Sequence, residues 1–494
     1  MSELPLQRRL RRAIVRFQAR LEAGPGDRWI PTLIGVGLSG FLAWTAVSRI
    51  DGLEAGVDLA GYSQTLWLLT QGNVPRASLF GTDVHLLELR WSFVLYALAL
   101  PATVFPPAKL LVVTQSIALG LAVLPLWRLA RQRAKLRIGA ASALCVAYAL
   151  HPATHRIGTE DFHPVSLAVP AIIAAAYFGA TKRWFWYWAC IVFALLCRAD
   201  LGLALGFWGF VLLGDGERRA GLWTMGVGFV WALTLLLVAQ PLIAQPGFPD
   251  ARNGYNGQTL GDVTLASLRD PVGALQILLT QDNLLLVIGL LTPVIFLPLL
   301  SLRHLLPAAP LAGLLLLSGP TESPFPERGA MLLAFVMIAA AYALNRLGNM
   351  GVDRVFLDIR LLTTLAAAAV LLFVASSPTS PYARPWDWPE RDATDRAAVR
   401  AAELLDPELP VRASPSALTV LSDRPWLYSL AQDRQPSAAN MAFPDFTRAV
   451  LVLEREIPER TEEEREQFDN NMALVGFEIL LDDRNNGVTL YVRQ

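Results

Sequence analysis

The densest group of side chains able to do acid–base or metal chemistry lies in the segment HPATHRIGTEDFHP, residues 151–164. Its candidate residues are His151, His155, Glu160, Asp161 and His163. The first two histidines have the spacing of a zinc-binding pair on a helix, but Pro152 and the lack of a third ligand in register argue against structural zinc. The adjacent carboxylates would suit Mg²⁺ or Mn²⁺, which take oxygen ligands, or general-base catalysis. An ordinary polar loop at the lipid headgroups is the alternative.

A further acidic candidate, Asp58, lies near the start of the stretch VDLAGYSQTLWLLTQG. Apolar residues recur there at helical spacing, which predicts a helix over about 58–71 with Asp58 close to its N-terminus. Backbone amides and the helix dipole stabilise a carboxylate in that place, so Asp58 is either a helix cap or a functional acid. Farther along, His85 lies in the polar run GTDVHLLELRW, for which a solvated loop is the simplest interpretation.

Charged residues interrupt apolar sequence at two other places. In CRADLGL, Arg198 and Asp200 break what would otherwise be one long apolar run. Charges there are costly unless they are paired or wet, so the two residues either form a salt bridge in a turn or line a polar cavity. Arg328 stands at the expected start of a later apolar helix, where it could hold a lipid phosphate or act as a basic interfacial anchor.

The composition places these candidates in a membrane protein. Of the 494 residues, 54% are hydrophobic and 17% are charged, and the mean hydropathy is +0.41. The net charge of zero gives no general attraction to nucleic acid. The sequence contains no Walker loop, no G-x-S-x-G elbow and no H-E-x-x-H motif, and its apolar runs have no central charges. These absences weigh against ATP-driven transport, the familiar hydrolases and ion-coupled transport.

A spanning helix needs about 20 apolar residues, and about eleven stretches approach this length. They lie at 30–48, 109–129, 137–151, 164–180, 184–198, 200–214, 220–242, 283–301, 303–318, 329–345 and 356–376. If the apolar stretch 89–105 also crossed, the basic run RLARQRAKLR would lie outside, against the rule that basic loops stay inside. We therefore predict an amphipathic helix at the outer interface over 89–105, with residues 1–29 cytoplasmic and the candidate residues outside.

Composition changes after residue 376. Residues 377–389 are rich in proline and predict a linker, and the charged, mixed stretch 390–494 predicts a small extracytoplasmic α/β domain. Two helical patterns, DRAAVRAAELL and TEEEREQFDNNM, accompany strand-like segments at PVRAS, RAVLVLE and EILLDDRNNGVTLYVRQ. Asn486-Gly487 is typical of a hairpin turn. The predicted fold class is thus a mainly α, polytopic membrane protein with this domain on its outer side.

Several of these motifs together resemble the bacterial membrane-protein family known as domain of unknown function 2079. The likeness covers most of residues 50–240 and is carried by VDLAGYSQTLWLLTQG, HLLELRWSFVLYALALPATVFPP, VTQSIALGLAVLPLWRLAR, EDFHPVSLAVPAI and CRADLGLALGFWGF. The matching positions are Asp58, Gln64, Trp67, His85, Asp161, Phe162, His163, Pro164 and Asp200. Ala60, Ser63 and Ala199 depart from the family pattern, and the last two stand where the family has a carboxylate.

That family is similar to the GT-C glycosyltransferases, which take a sugar from a polyprenyl-phosphate carrier at the outer face of the membrane. The resemblance implies a first span, a long outer loop with juxtamembrane helices and an early acidic residue, and a second acidic motif in the next outer loop. Asp58 and the pair Glu160-Asp161 fall in these places. The resemblance therefore implies that Asp58 is the catalytic base and that the pair assists it, or binds Mg²⁺ or Mn²⁺ if a metal is required. The substrate-binding residues expected beside them are His85, His155, His163, Arg198, Asp200 and Arg328.

The expected function is transfer of a sugar from a polyprenyl-phosphate donor to an envelope glycan, lipid or protein on the outer face of a bacterial inner membrane. Its expected partners are the lipid-linked sugar, the envelope acceptor and membrane lipid, with no nucleic acid. The alternative is a non-catalytic membrane translocator or an envelope-assembly partner protein. That alternative predicts that the outer acids and histidines do not converge.

Overall fold

The computed structural model describes residues 24–80, 85–89, 91–239, 266–317, 329–350, 354–430, 447–457 and 461–493. Among the candidate residues, Arg328 lies outside these ranges, and so do residues 1–23 of the basic N-terminal segment. Helices dominate the described residues as far as Ser376, and a small mixed sheet follows.

Apolar helices form the larger part of the molecule, and each span expected from the sequence coincides with helical structure over most of its described length. They are α1 (Gly26–Asp51), α2 (Val57–Thr70), α3 (Leu86–Leu89), α4 (Val94–Ala102), α5 (Pro107–Leu121), α6 (Val123–Arg128), α7 (Ile138–Ala149), α8 (Pro152–Thr159), α9 (Ala168–Ala180), α10 (Trp184–Cys197), α11 (Leu201–Gly214), α12 (Arg218–Leu233), α13 (Pro271–Leu278), α14 (Gln281–Leu291), α15 (Leu302–Leu305), α16 (Ala309–Leu317), α17 (Gly329–Leu347) and α18 (Ile359–Ser376). One apolar core runs through this bundle.

Helix length divides the apolar helices into two groups. Within the described ranges, four helical stretches are long and apolar enough to cross a membrane: Gly26–Asp51, Pro107–Arg133, Leu297–Leu317 and Ile359–Ala383. A fifth results if the bent pair α13 and α14 forms one span, and five shorter apolar helices accompany them. The protein is therefore a helical membrane protein with several apolar helices, and the count of eleven spans stays a prediction.

Glycines allow α1 and α5 to approach closely. A Cβ atom on Gly120 would lie 2.0 Å from the Ser39 Oγ and 2.4 Å from the Gly35 carbonyl oxygen. No side chain fits at such distances, so small residues at this crossing let the two backbones meet. The contact fixes α1 against α5, and both helices carry residues of the candidate site described below.

Basic segments that the sequence places far apart meet at one end of the bundle. The Arg131 guanidinium pairs with the Asp27 carboxylate at 2.6 Å and donates to the Leu136 carbonyl oxygen at 2.7 Å. Arg354 donates to the Arg131 carbonyl oxygen, and Asn345 donates to the carbonyl oxygen of Ala134. A two-stranded ribbon of β1 (Asn349–Met350) and β2 (Val355–Phe356) lies against this end. The grouping agrees with the predicted gathering of basic loops on one side.

The stretch 89–105 forms only a short helix. Helix α4 has nine residues, which span about 14 Å at 1.5 Å per residue. A bilayer core is about 30 Å thick, so α4 is too short to cross it. The helix packs against α2 and α5, while Leu100 and Val104 are largely exposed. The interfacial position of this stretch stays a prediction.

In the C-terminal α/β segment, residues 393–493, the described residues form two α-helices and a five-stranded sheet. They are α19 (Ala393–Glu403), β3 (Val411–Ala413), β4 (Leu427–Ser429), β5 (Ala449–Leu453), α20 (Glu462–Leu474), β6 (Phe477–Asp483) and β7 (Val488–Arg493). The strand order is β4-β3-β5-β7-β6, with β3 parallel to both of its neighbours and the other pairs antiparallel. Strand β4 was not expected from the sequence. Gly487 ends the hairpin turn with φ of 64°, a conformation that favours glycine.

One face of this sheet shares its core with the membrane-embedded part. Apolar residues of α19, β3, β5 and β7 pack together with Leu53, Ala60 and Leu79, which belong to the first outer loop and α2. The other face packs against α20. Because burial of these shared side chains stabilises both parts, the C-terminal α/β segment is joined to α2 by a hydrophobic core as well as by its connecting chain.

Candidate active site

The start of α2 is held by a carboxylate from the loop that follows α8. Gly56 is the N-cap residue of α2, and it has no side chain that could accept hydrogen bonds from the first amides of the helix. Asp161 supplies the cap instead: one carboxylate oxygen accepts a hydrogen bond from the Gly56 amide at 2.7 Å, the other from the Asp58 amide at 3.0 Å. A Cβ atom on Gly56 would lie 2.3 Å from the Asp161 Oδ2, so glycine permits this approach. Asp58 is thus a residue of the first helical turn, not its cap.

This capping brings two of the three predicted catalytic acids together. The amide nitrogen of Asp58 touches the Asp161 carboxylate, and the half-buried Asp58 side chain begins at the same turn of helix. Two carboxylates close together at a helix N-terminus are tolerated because the helix dipole and the exposed amides favour negative charge there. The arrangement leaves the Asp161 carboxylate committed to backbone amides.

Glu160 completes the acidic cluster and has arginines beside it. Its carboxylate lies 3.4 Å from an Arg156 guanidinium nitrogen, one helical turn away. Burial raises the pKa of Glu160, and the positive charges of Arg156, His163 and Arg49 oppose that rise. A raised pKa favours the protonated carboxyl group, which can donate a proton or a hydrogen bond. Glu160 therefore has different surroundings from Asp161, whose carboxylate accepts hydrogen bonds from two backbone amides.

Gln115 on α5 organises the loop that carries these acids. Its Nε2 donates to the carbonyl oxygens of Ile157 at 2.6 Å and Asp161 at 3.3 Å. Its Oε1 accepts from the His163 amide and the Ser166 hydroxyl, both at 2.9 Å. Sequence reasoning missed this residue. The available signal was a buried amide in the apolar helix KLLVVTQSIALGL, where a polar side chain needs partners.

Aromatic packing fixes the same loop against α2. The Phe162 ring meets the Tyr62 ring edge to face with centroids 5.5 Å apart, and both rings are buried. The neighbouring His163 is 4% exposed and lies close enough to Glu160 to affect its charge. The structure therefore joins the loop 160–163 to the start of α2, through Asp161 at the amide of Asp58 and through Phe162 at Tyr62.

Arg49, at the end of α1, is a further residue that sequence reasoning missed. Its guanidinium donates to the carbonyl oxygens of Thr159 at 2.5 Å and Glu54 at 2.7 Å, and it lies 5.8 Å above the Trp388 ring. Backbone contact brings Trp388 there, since a Cβ atom on Gly52 would collide with the Trp388 carbonyl oxygen. Arg49 thus links α1, the acidic loop and the predicted linker 377–389.

The two histidines with metal-pair spacing have separate structural contacts. His151 accepts a hydrogen bond from the Ala153 amide at the start of α8, and its other ring nitrogen lies 3.0 Å from the Leu290 carbonyl oxygen. The ring nitrogens of His155 lie 2.7 Å from the Ala149 carbonyl oxygen and 2.8 Å from the Thr379 hydroxyl. Among the described residues no group of three histidine, cysteine or acidic side chains could hold a metal ion. His155 therefore joins the outer loop to the linker.

The remaining predicted residues lie elsewhere. His85 forms a backbone bridge with Arg76, and its Nδ1 accepts from the Leu87 amide at 3.1 Å. Arg198 and Asp200 are buried in the turn between α10 and α11 and pair with each other at 2.8 Å. This is the salt bridge that the sequence left open as one of two alternatives.

Comparison with known proteins supports the fold and the family. No curated protein matches the chain. A crystal structure of ArnT from Cupriavidus metallidurans bound to undecaprenyl phosphate superposes with a TM-score of 0.55 at 13% identity, covering 93% of this chain and 97% of that chain. The apo structure of the same protein gives a TM-score of 0.51 at 14% identity, covering 95% and 98%. The chain therefore has an ArnT-like fold, which is the GT-C fold implied by the sequence motifs. The family model described as "Predicted membrane protein (DUF2079)" matches residues 49–490, so the chain belongs to that family.

Proposed function

We propose that this protein is a membrane glycosyltransferase that transfers a sugar from a polyprenyl-phosphate donor to an envelope glycan, lipid or protein. The observation that carries the proposal is the pair of hydrogen bonds by which the Asp161 carboxylate holds the amides of Gly56 and Asp58, because they bring the acidic loop to the start of α2. The ArnT-like fold supports it, because ArnT has been crystallised with undecaprenyl phosphate. The same lipid phosphate would be the product left behind by the proposed reaction.

In this reaction an acceptor hydroxyl attacks the anomeric carbon of the sugar, and the bond from that carbon to the phosphate oxygen breaks. The hydroxyl proton passes to a carboxylate base, and the electron pair leaves with the lipid phosphate. We assign the base to Asp58, because the Asp161 carboxylate already accepts two backbone amides. Asp161 then positions Asp58, and Glu160 assists as a proton donor or hydrogen-bond donor. A metal ion at Glu160 and Asp161 stays a prediction.

The departing phosphate gains charge and needs a cation beside it. We assign this role to Arg49 and Arg156, whose charges act on Glu160, in preference to Arg198, which lies in the turn between α10 and α11 and is buried in a salt bridge with Asp200. Arg328 remains a predicted contact outside the described residues. His163 and His85 remain predicted substrate contacts, and the ring contacts of His155 favour a structural role for it.

We also propose the sidedness implied by the basic loops: a bacterial inner membrane, with the acidic cluster and the C-terminal α/β segment outside. The non-catalytic alternative predicts scattered acids and histidines. The adjoining positions of Asp58, Glu160, Asp161 and His163 favour the enzyme.

The test uses the full chain in lipid nanodiscs with a panel of undecaprenyl-phosphate sugars, and it measures release of undecaprenyl phosphate. Asp58→Asn should lower the rate by about 100-fold or more, as loss of a general base does. Asp51→Asn is the matched control, because Asp51 lies in the same outer region but pairs with Lys109 at 2.8 Å. Equal turnover by Asp58→Asn and the native protein would exclude Asp58 as the base. Native mass spectrometry with undecaprenyl phosphate and undecaprenol tests lipid-phosphate binding independently of turnover.

A further inference from the structure

The side of α2 that faces away from the acidic cluster is hydrogen-bonded to the C-terminal α/β segment. Gln64, with no exposed surface, directs its Nε2 at the Ser78 hydroxyl at 3.1 Å and at the carbonyl oxygens of Arg424 and Pro425, both at 3.2 Å. Its Oε1 accepts from the Leu79 amide at 3.4 Å. A buried amide side chain can use both of its donors and its acceptor in this way, and each lost bond would leave a buried group unsatisfied.

Two hydroxyl groups extend this contact. The Ser78 hydroxyl donates to the Leu427 carbonyl oxygen at 2.7 Å and accepts from the Leu427 amide at 2.8 Å, so it pairs with the first residue of β4 as a strand backbone would. The Ser422 hydroxyl donates to the Ser63 hydroxyl at 2.8 Å. All four partners are buried. The bonds join residues about 350 positions apart in the sequence and so depend entirely on the tertiary fold.

Helical spacing places the contacts of α2 on two different sides of the helix. Asp58 and Tyr62 are four residues apart and lie on the side that meets the loop 160–163. Ala60 and Gln64, also four apart, lie on the side that meets the C-terminal α/β segment. The helix is therefore held at its N-terminus by the outer loop and along its opposite side by the C-terminal sheet.

We propose that Gln64 is a positioning residue: through it, the C-terminal α/β segment fixes the rotation and depth of the helix that presents Asp58. The inference rests on the proposed function for the role of Asp58, and it makes the C-terminal α/β segment part of the catalytic unit. Asp58 precedes Gln64 by six residues, so about 9 Å of helix separates the hydrogen bonds of Gln64 from the proposed base. A helix is stiff over that distance, and a displacement of about 1 Å at a reacting group can cost about 100-fold in rate.

The first test needs no substrate. Gln64→Leu replaces the amide with an apolar side chain of similar size and so removes the hydrogen bonds. Hydrogen–deuterium exchange is then measured in the full chain in nanodiscs. Exchange should rise at the amides of residues 54–60 and 422–428 and stay unchanged in α5 and α9. Thr65→Val is the matched control: Thr65 is equally buried on α2, but its hydroxyl only donates to the Gly61 carbonyl oxygen within the helix. Unchanged exchange at residues 54–60 in Gln64→Leu, or an equal change in Thr65→Val, would overturn the proposal.

Ser422→Ala provides a milder variant in case Gln64→Leu does not fold, because it removes one hydroxyl, which contacts the Ser63 hydroxyl and the Thr419 carbonyl oxygen. It should raise exchange at the same two segments by a smaller amount, and no change at residues 54–60 would again overturn the proposal. In the transfer assay, Gln64→Leu should lower kcat by about 10- to 100-fold with the donor KM unchanged, since a displaced base weakens chemistry and not donor binding. If the native protein shows no transfer, the proposed function fails. The exchange result still decides whether Gln64 fixes α2 to the C-terminal α/β segment.

Discussion

Replacing Asp161 with asparagine removes one of the two carboxylate oxygens that hold the start of α2. The lost bond is the one to Gly56 at 2.7 Å or to Asp58 at 3.0 Å, and the new amide nitrogen would face a backbone N–H that it cannot accept from. A hydrogen bond to a charged group is worth about 1.5–3 kcal/mol, and a negative charge at a helix N-terminus adds about 0.3–1 kcal/mol. The two contributions together predict a loss of about 2–4 kcal/mol in the free energy of unfolding of this region.

The assay is the apparent melting temperature of the purified protein in detergent, together with the rate of proteolysis in the first outer loop. Asp161→Asn should lower the melting temperature by several degrees and speed the cleavage. Asp58→Asn is the control, because it keeps the backbone amide that donates to Asp161, and its unfolding free energy should change by less than about 1 kcal/mol. If Asp58→Asn destabilised the protein as much as Asp161→Asn, the division into a positioning acid and a catalytic acid would be wrong.

Other substitutions test the remaining contacts. Burial raises the pKa of Glu160 above its ordinary value of about 4.5, so the ionised carboxylate destabilises the folded protein. Glu160→Gln should therefore raise the melting temperature at pH 7. This gain should vanish as the pH falls below about 4.5, where the carboxyl group is protonated in both the folded and the unfolded state. A gain independent of pH would contradict that cause. Arg198→Ala leaves the buried Asp200 without its salt bridge and should cost about 3–5 kcal/mol in thermal or denaturant unfolding, whereas Arg198→Ala combined with Asp200→Ala should cost less; equal costs would refute a direct pair. Gln115→Leu should increase hydrogen exchange at residues 157–166, and unchanged exchange there would show that the loop does not depend on it.

Hydropathy and charge predicted the helices well because both act locally. The apolar runs predicted as spans coincide with helical structure over most of their described length, and the stretch 89–105 contains the nine-residue helix α4. The strands Val411–Ala413 and Ala449–Leu453 also followed from their sequence. Strand Leu427–Ser429 did not, because three residues carry no periodicity and its pairing depends on β3 and on the Ser78 hydroxyl.

The site was only partly predictable from the sequence. The resemblance to the GT-C enzymes implied that Asp58 and the pair Glu160-Asp161 act together, but their roles depend on contacts between distant residues. Asp161 reaches Gly56 across 105 positions, and no local pattern identifies which of several carboxylates will cap a helix. The partners of His151 and His155, Leu290 and Thr379, are farther still, so the i, i+4 spacing suggested a metal pair that the fold uses differently.

Two of the three departures from the family pattern, Ser63 and Ala199, lie away from the proposed base. Ser63 stands where the family has a carboxylate, yet its hydroxyl is buried against Ser422 on the side of α2 that faces the C-terminal α/β segment. Ala199 packs in a small apolar cluster with Trp91 at the turn between α10 and α11. Neither residue lies between Asp58 and its acidic neighbours. Because a general base acts only on groups within hydrogen-bond reach, these substitutions alter how α2 and the turn are held and leave the proposed base in place. We therefore expect Ser63→Asp to lower transfer activity. The substitution would bury a new charge beside the Ser422 hydroxyl and so disturb the hydrogen bonds between α2 and the C-terminal α/β segment.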